Sequence, residues 1–400
     1  MKSFDCDVLI AGGGPTGLLT AFLCGEAGIE ARAFEMRDAI APDLRATSFH
    51  PPTLDMLEPD GFTQEIVAQG LTTTQWQVRL HPEGERAVFD LAVIRDEVRH
   101  PFRLQCEQSR LQQAIYDRLA RHPRARADFG HKVVGFRQDE TGVDVDVESA
   151  RGIETLRARI LVGADGLAST VRETAGIPFE GEAFPETTLV VTTTFPFEQH
   201  MEGLTIVASC WTPGGNLAFL RLRDFWRLAI YLREDIPVEQ QITPDGVQAA
   251  LQNIIASPQP YPVLGAWPYR VQQRIVPTYR KGRVALVGDA AHVNSPAGGL
   301  GLNGGIHEAF ELAEALKDIF RRGADLERLD LYTRRRRPVV AEEILGQAKR
   351  NRDRMREKDP DERRRLLANL QAITGDPERH RAYVRRASML DGLRMAAQIS

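Results

Sequence analysis

Val8-Leu9-Ile10-Ala11 followed by Gly12-Gly13-Gly14-Pro15-Thr16-Gly17 reads as a strand running into a tight turn. An apolar run without polar alternation describes a short strand buried on both faces of a parallel sheet. Leu18 to Ala27 has helical composition, Gly28 ends it, and Glu30 to Glu35 returns as a second strand. Strand, helix and strand in that order imply a parallel sheet with a right-handed crossover. Within the turn, Gly12, Gly14 and Gly17 form GxGxxG. The first glycine permits the turn, the second lets backbone approach a pyrophosphate, and the third allows close helix–strand packing. The helix N-terminus adds free N–H groups and a partial positive charge. Glu35 lies 18 residues beyond Gly17, where a carboxylate can accept hydrogen bonds from ribose hydroxyls. The unit predicts dinucleotide binding, and by itself does not separate FAD from NAD.

Outward from this unit, short β-prone runs at 132–136, 143–147 and 155–162 are split by Glu140-Thr141-Gly142 and Ala150-Arg151-Gly152. They predict an antiparallel meander laid against the parallel sheet. Runs at 189–194, 204–210, 217–222 and 228–232 predict a second, mostly antiparallel sheet over 181–269. Arg283 to Val287 restores a buried-strand pattern, then come a glycine-rich turn and a helix from about Gly304 to Arg321. The chain beyond is charged and helical. Its charge-dense runs, 334–337 and 361–365, predict solvated helix faces or a subunit contact rather than a nucleic-acid patch.

With 400 residues, 42% of them hydrophobic, the chain can build two or three domains around a large core. A net charge of −4 gives no reason to expect nucleic acid as a partner. Cys6, Cys24, Cys106 and Cys210 lie far apart without a CxxC pair. Neither a metal site nor a disulfide framework is therefore expected, and a reducing cytoplasm is the natural home. Asp5 and Asp7 precede the first apolar run, unlike a signal peptide, and no run approaches the roughly 18 apolar residues of a membrane span.

Two later segments decide the cofactor. Ile160-Leu161-Val162-Gly163-Ala164-Asp165-Gly166, then Ser169, Val171 and Arg172, resembles the DG motif of flavoprotein monooxygenases. Val287-Gly288-Asp289-Ala290-Ala291-His292, then Pro296, Gly298, Gly299, Gly301, Leu302 and Asn303, resembles their GD motif and the loop after it. With the first turn, the motifs run in the expected order, and the match holds to about residue 345. The chain thus resembles the single-component FAD aromatic hydroxylases related to para-hydroxybenzoate hydroxylase. The resemblance implies an α/β (α+β) fold. A Rossmann-like FAD-binding domain with parallel sheet and meander (1–75, 101–180 and 270–345) interleaves with a mostly antiparallel substrate domain (76–100 and 181–269). A helical C-terminal segment (346–400) follows.

The resemblance also implies tightly bound, non-covalent FAD, reduced by NADH or NADPH. Oxygen then adds at flavin C4a, and the hydroperoxide delivers OH to a small phenolic or hydroxypyridine-like ring. Asp289 is placed to accept from a ribityl hydroxyl, and backbone N–H groups between Ala297 and Asn303 to approach the flavin pyrimidine edge. Asp165 is implicated in FAD and NAD(P)H binding, while Arg45 and Gln105 match residues near the cofactor. Pro296 matches a proline whose carbonyl lies near the attacked carbon. Arg223 stands where some relatives bind a substrate carboxylate, although a structural role fits it as well. Trp211, Phe219 and Trp226 fit core packing better than an aromatic pocket, and His292 fits a satisfied structural histidine. A homodimer is compatible with the family. A FAD-dependent reductase or dehydrogenase of the same fold, or a non-catalytic flavin-binding protein, are the alternatives. The Trp-x-Trp-x-Ile-Pro stretch of flavin halogenases does not occur.

Overall fold

In the computed structural model, which describes residues 3–213 and 215–400, the strand Cys6–Ala11 runs straight into the helix Pro15–Glu26. Gly14 is that helix's N-cap, and Pro15 presets φ for its first turn. Cys6–Ala11 lies between Ala31–Glu35 and the end of the long strand Gly152–Gly163, parallel to both. Ala125–Phe129 and Val284–Leu286 extend the sheet on either side, again in parallel. Val8, Leu9, Ile10, Ile160, Leu161 and Val162 have no exposure, as a strand covered by helices on both faces requires.

The meander is not laid against this sheet but continuous with it. Gly152–Gly163 pairs antiparallel with Val143–Ser149 over residues 152–158, and parallel with Cys6–Ala11 over 158–163. Neither glycine nor proline interrupts 153–162, so nothing ends the strand between its exposed first half and its buried second half.

Among the described residues the second sheet has eight strands. Their order is His292–Val293, Val263–Ile275, Glu180–Thr193, Trp226–Tyr231, Gly215–Arg221, Val207–Thr212, Gln75–Leu80 and Arg86–Asp90. Only Val207–Thr212 and Gln75–Leu80 pair in parallel. The two longest strands run side by side from Glu180 opposite Ile275 to Thr193 opposite Val263, and His292–Val293 ties their near end to the loop after the first sheet. One face carries Phe219, Trp226 and Leu228, which pack on Phe197 and Leu251. Trp226 and Phe219, like Trp211, are core residues, as expected.

The C-terminal helices Gly346–Arg356, Pro360–Thr374, Pro377–Ala387 and Leu390–Gln398 cover the end of this sheet. Leu367, Leu370 and Val384 bury against Trp76, Phe89 and Trp211, and Phe89 stacks on both Trp76 and Tyr383, with centroids 5.0 and 4.5 Å apart. The run 334–337 is a solvated face only at Arg334, which is exposed. Arg336 is 1% exposed, while Arg335 and Arg337 donate to the carbonyls of Ile399 and Val276. Long aliphatic stems let arginines line packed surfaces, so a charge run need not face water. In the second run, Arg363 reaches the Thr212 carbonyl at 3.0 Å, while Asp361, Arg364 and Arg365 are exposed. All four cysteines are free and buried, and burial pushes each thiol up to about 12. No described helix is long and apolar enough to cross a membrane.

Candidate active site

Where the two sheets meet lies a cavity of about 420 Å³. Its floor is the second sheet's face opposite Trp226. Cross-strand registers place Trp267, Val190, Ala229, Ala218, Ser209 and Val78 in one row, and all line the cavity. The small side chains at the centre of this row leave a flat, mostly apolar bay. Arg227, Leu220 and Val207 border it on one side, Tyr269, Thr188 and Tyr231 on the other. Arg227 is 5% exposed, has no hydrogen-bond or ion-pair partner among the described residues, and burial pulls its guanidinium down to about 10.

Two helices aim their N-termini at the cavity from the first sheet. Pro15–Glu26 starts at Gly14 and Gly301–Arg322 at Leu300; neither has a side-chain cap nor an acid in its first turn. Gly14, Pro15, Leu300, Gly301 and Leu302 line the cavity, so unsatisfied N–H groups and both helix dipoles favour an anion there. Gly12 and Gly17 lie behind this wall, where neither has room for a β-carbon. One on Gly17 would stand 2.0 Å from the Gly12 oxygen, and one on Gly12 2.2 Å from the Ala164 oxygen. Glu35 accepts the Gly13 N–H at 2.8 Å, holding the turn open.

Asp289 follows the strand Val284–Leu286 in a short turn and opens into the cavity without a hydrogen-bond partner among the described residues. The residue is solvent-accessible within the open cavity, and the protein atoms crowded around it desolvate the carboxylate and raise it above the usual carboxylate range. The turn is held from behind. Fully buried Glu308 accepts the Gly288 N–H at 2.8 Å and meets His292 Nε2 at 2.8 Å, and Arg172 donates to the Ala290 carbonyl at 3.3 Å. His292 is thus a paired structural histidine.

Pro296 lines the cavity, and its carbonyl accepts the Gly299 N–H at 3.0 Å. Gly298 and Gly299 take φ of 109° and 67° in this turn, a region that side chains disfavour. Asn303 braces the loop from outside the cavity. Its amide donates to the Gly299 and Ser48 carbonyls and accepts the His50 N–H, all within 2.9 Å. Arg45 lines the cavity with its guanidinium held by both Asp43 oxygens.

Three expected residues sit elsewhere. Arg223 is in the exposed turn after Gly215–Arg221 and donates to the Ala68 carbonyl at 3.2 Å; the strand ends before it, so it cannot reach the floor. Gln105 is buried behind the wall, accepting the Ser48 hydroxyl at 2.8 Å, and Gln108 lines the cavity in its place. Asp165 accepts from Ser169 Oγ and the Val171 N–H, capping the helix Thr170–Thr174, while its neighbours Ala164 and Gly166 face the cavity.

A family model described as FAD binding domain matches residues 5–348. The chain belongs to this FAD-binding family. It is 32% identical over 399 residues to para-nitrophenol 4-monooxygenase of Pseudomonas sp. strain WBC-3, covering 99% of this chain and 98% of that protein. It is 29% identical over 380 residues to 6-hydroxy-3-succinoylpyridine 3-monooxygenase of Pseudomonas putida strain S16, covering 94% and 96%. The crystal structure of p-nitrophenol 4-monooxygenase from Pseudomonas putida DLL-E4 superposes with a TM-score of 0.90 at 30% identity, covering 98% of this chain and 99% of that one. The protein is an aromatic flavin-dependent monooxygenase, and FAD is its cofactor.

Sequence reasoning missed several cavity residues of this monooxygenase. Arg227 alternates with the core residues Trp226 and Leu228; a charge at an inward position of an apolar strand was the available signal. Tyr231, Trp267 and Tyr269 follow the same alternation. Asn351, Arg354 and Tyr383 come from helices whose charged composition reads as surface, and nothing local marks them.

Proposed function

We propose that this monooxygenase hydroxylates a small phenolic or hydroxypyridine ring, using NADH or NADPH and O₂. The small-residue bay facing the Pro296–Gly301 loop carries this reading, because it suits a flat ring laid between sheet and loop. The rings in the names of the two relatives quoted above support it. When bound, FAD supplies electron transfer from the coenzyme and activation of oxygen.

Gly12, Gly14 and Gly17 let backbone and helix N-terminus approach the FAD pyrophosphate, and Glu35 stands ready for its ribose. Asp289, unpartnered in the cavity, accepts from a ribityl hydroxyl. The N–H groups of Gly298, Leu300, Gly301 and Leu302 would be available to the flavin pyrimidine edge, on a loop held by Asn303. Pro296 shapes the loop above the ring. Arg227 offers an unpaired positive charge to negative charge developing on the ring or the reduced flavin. Residues 1–75, 101–180 and 270–345 form the FAD-binding part, 76–100 and 181–269 the substrate part. Four buried, unpaired thiols suit a cytoplasmic enzyme.

The test is coenzyme oxidation by purified, FAD-loaded enzyme in air, with phenols and hydroxypyridines added singly and products followed by mass spectrometry. Stimulation by one ring, with hydroxylated product stoichiometric with coenzyme, is expected. Flavin that resists both coenzymes with every ring would overturn the proposal.

A further inference from the structure

We propose that Arg354 binds the anionic group of the ring substrate and so sets specificity, an inference that rests on the hydroxylase reading above. Arg354 lies on Gly346–Arg356, past the end of the family match at residue 348. The helix is fixed to the cavity floor by its last carbonyls: the Trp211 indole N–H donates to Arg354 O at 3.1 Å, and the Asn216 amide donates to Met355 O. Gln347, Asn351, Arg354 and Met355, spaced along one helical face, line the cavity.

The Arg354 guanidinium is oriented but not neutralised. Nη1 donates to Tyr383 Oη at 3.1 Å and Nη2 to Asn351 Oδ1 at 2.8 Å, while buried Nε has no partner. Asn351 in turn donates to the Ala297 carbonyl at 3.4 Å, and its amide nitrogen lies 3.0 Å from where a β-carbon on Gly298 would stand. The clamp therefore spans the helices Gly346–Arg356 and Pro377–Ala387 and the glycine loop. Neighbouring Arg352 is different, since Glu186 pairs with it. Around the cavity, Arg103, Arg227, Arg270 and Arg354 have no carboxylate partner among the described residues, and Asp289 is the acid in the lining. Arg103 is occupied over the Trp76 ring at 4.1 Å, Arg227 is sunk in the floor, and Arg270 is exposed with no side chain orienting it, which leaves Arg354 as the half-buried donor held in place by neighbours. A phenolate or ring carboxylate gains charge-assisted hydrogen bonds from such a fork, and a neutral ring does not.

The test uses FAD-loaded enzyme and two matched pairs, benzoate against benzamide and 4-nitrophenolate against nitrobenzene, with binding read from the flavin absorbance. Wild type is expected to prefer the anion of each pair. Arg354→Met should erase roughly tenfold or more of that preference, with FAD content and neutral-ring affinity unchanged. Arg354→Lys should keep part of it. Tyr383→Phe, which retains the stack on Phe89, should lose a smaller share, and these two variants carry the test if Arg354→Met does not fold. An intact preference in the variants, equal loss for neutral and anionic rings, or no preference or binding in wild type would overturn the proposal. Arg354-dependent anion binding in an enzyme that hydroxylates no ring would sink the hydroxylase reading alone. Ring hydroxylation with an anion preference indifferent to Arg354 would sink this proposal alone.

Discussion

A methyl group added at Gly17 meets the Gly12 carbonyl oxygen at 2.0 Å, and both residues belong to the dinucleotide turn. Gly17→Ala should cost about 1–3 kcal/mol of stability by overpacking; it should also purify with most of its FAD missing, as the flavin-to-protein absorbance ratio will report. Asp289 makes the opposite kind of prediction. Desolvation raises its carboxyl in the folded state, so that state keeps its proton to higher pH than the unfolded chain does. The group's favourable contribution is therefore complete in acid and is lost as pH rises through the folded value. Asp289→Asn should stabilise the FAD-free protein above that value and leave it unchanged below the ordinary carboxylate range, as melts across pH will show. The same change should weaken FAD roughly ten- to hundredfold, read by flavin titration. Glu308 is a support rather than a contact: with both oxygens engaged in a fully buried site, Glu308→Ala should cost about 3–5 kcal/mol in denaturant unfolding.

Among the elements, the floor row is the most exposed to test. Ala229 faces the cavity rather than the core, so Ala229→Leu adds bulk without overpacking. It should raise KM for the ring at least tenfold while FAD titrates as before. These elements were legible to different degrees for physical reasons. The first strand, turn and helix follow from an apolar run, three spaced glycines and Pro15, all of which act locally. Asp289 and the Pro296 loop were legible through the family resemblance carried by the motif from Val287 to Asn303. Arg227 was hidden because alternation along Trp226–Tyr231 shows which residues share a face but not which face meets a cavity. Gln105 ends a strand and Gln108 opens the helix three residues on, a junction that no local pattern places. Arg223 looked like a strand residue because its neighbours are apolar, yet the strand ends at Arg221. The C-terminal helices were opaque because their role depends on contacts with Trp211 and Asn216, more than a hundred residues away.

At the scale of the whole molecule, the cavity has walls from both sheets and the C-terminal helices, so a ligand filling it links three parts of the chain. FAD at about 100 times its dissociation constant should stabilise the fold by about 2.7 kcal/mol, and stripping the flavin should lower the melting temperature correspondingly. The paired strands Glu180–Thr193 and Val263–Ile275 run the length of the second sheet, and through His292–Val293 they connect it to the Asp289 turn. Finally, an enzyme that handles oxygen must live with the hydrogen peroxide leaked by unproductive turnovers. Peroxide attacks thiolates, and here all four thiols are inside the protein with their protons held up to about 12. The folded chain offers a byproduct of its own chemistry no exposed thiol, while exposed Met36 presents a thioether; a cysteine placed at position 36 should take a thiol label that the four native cysteines do not.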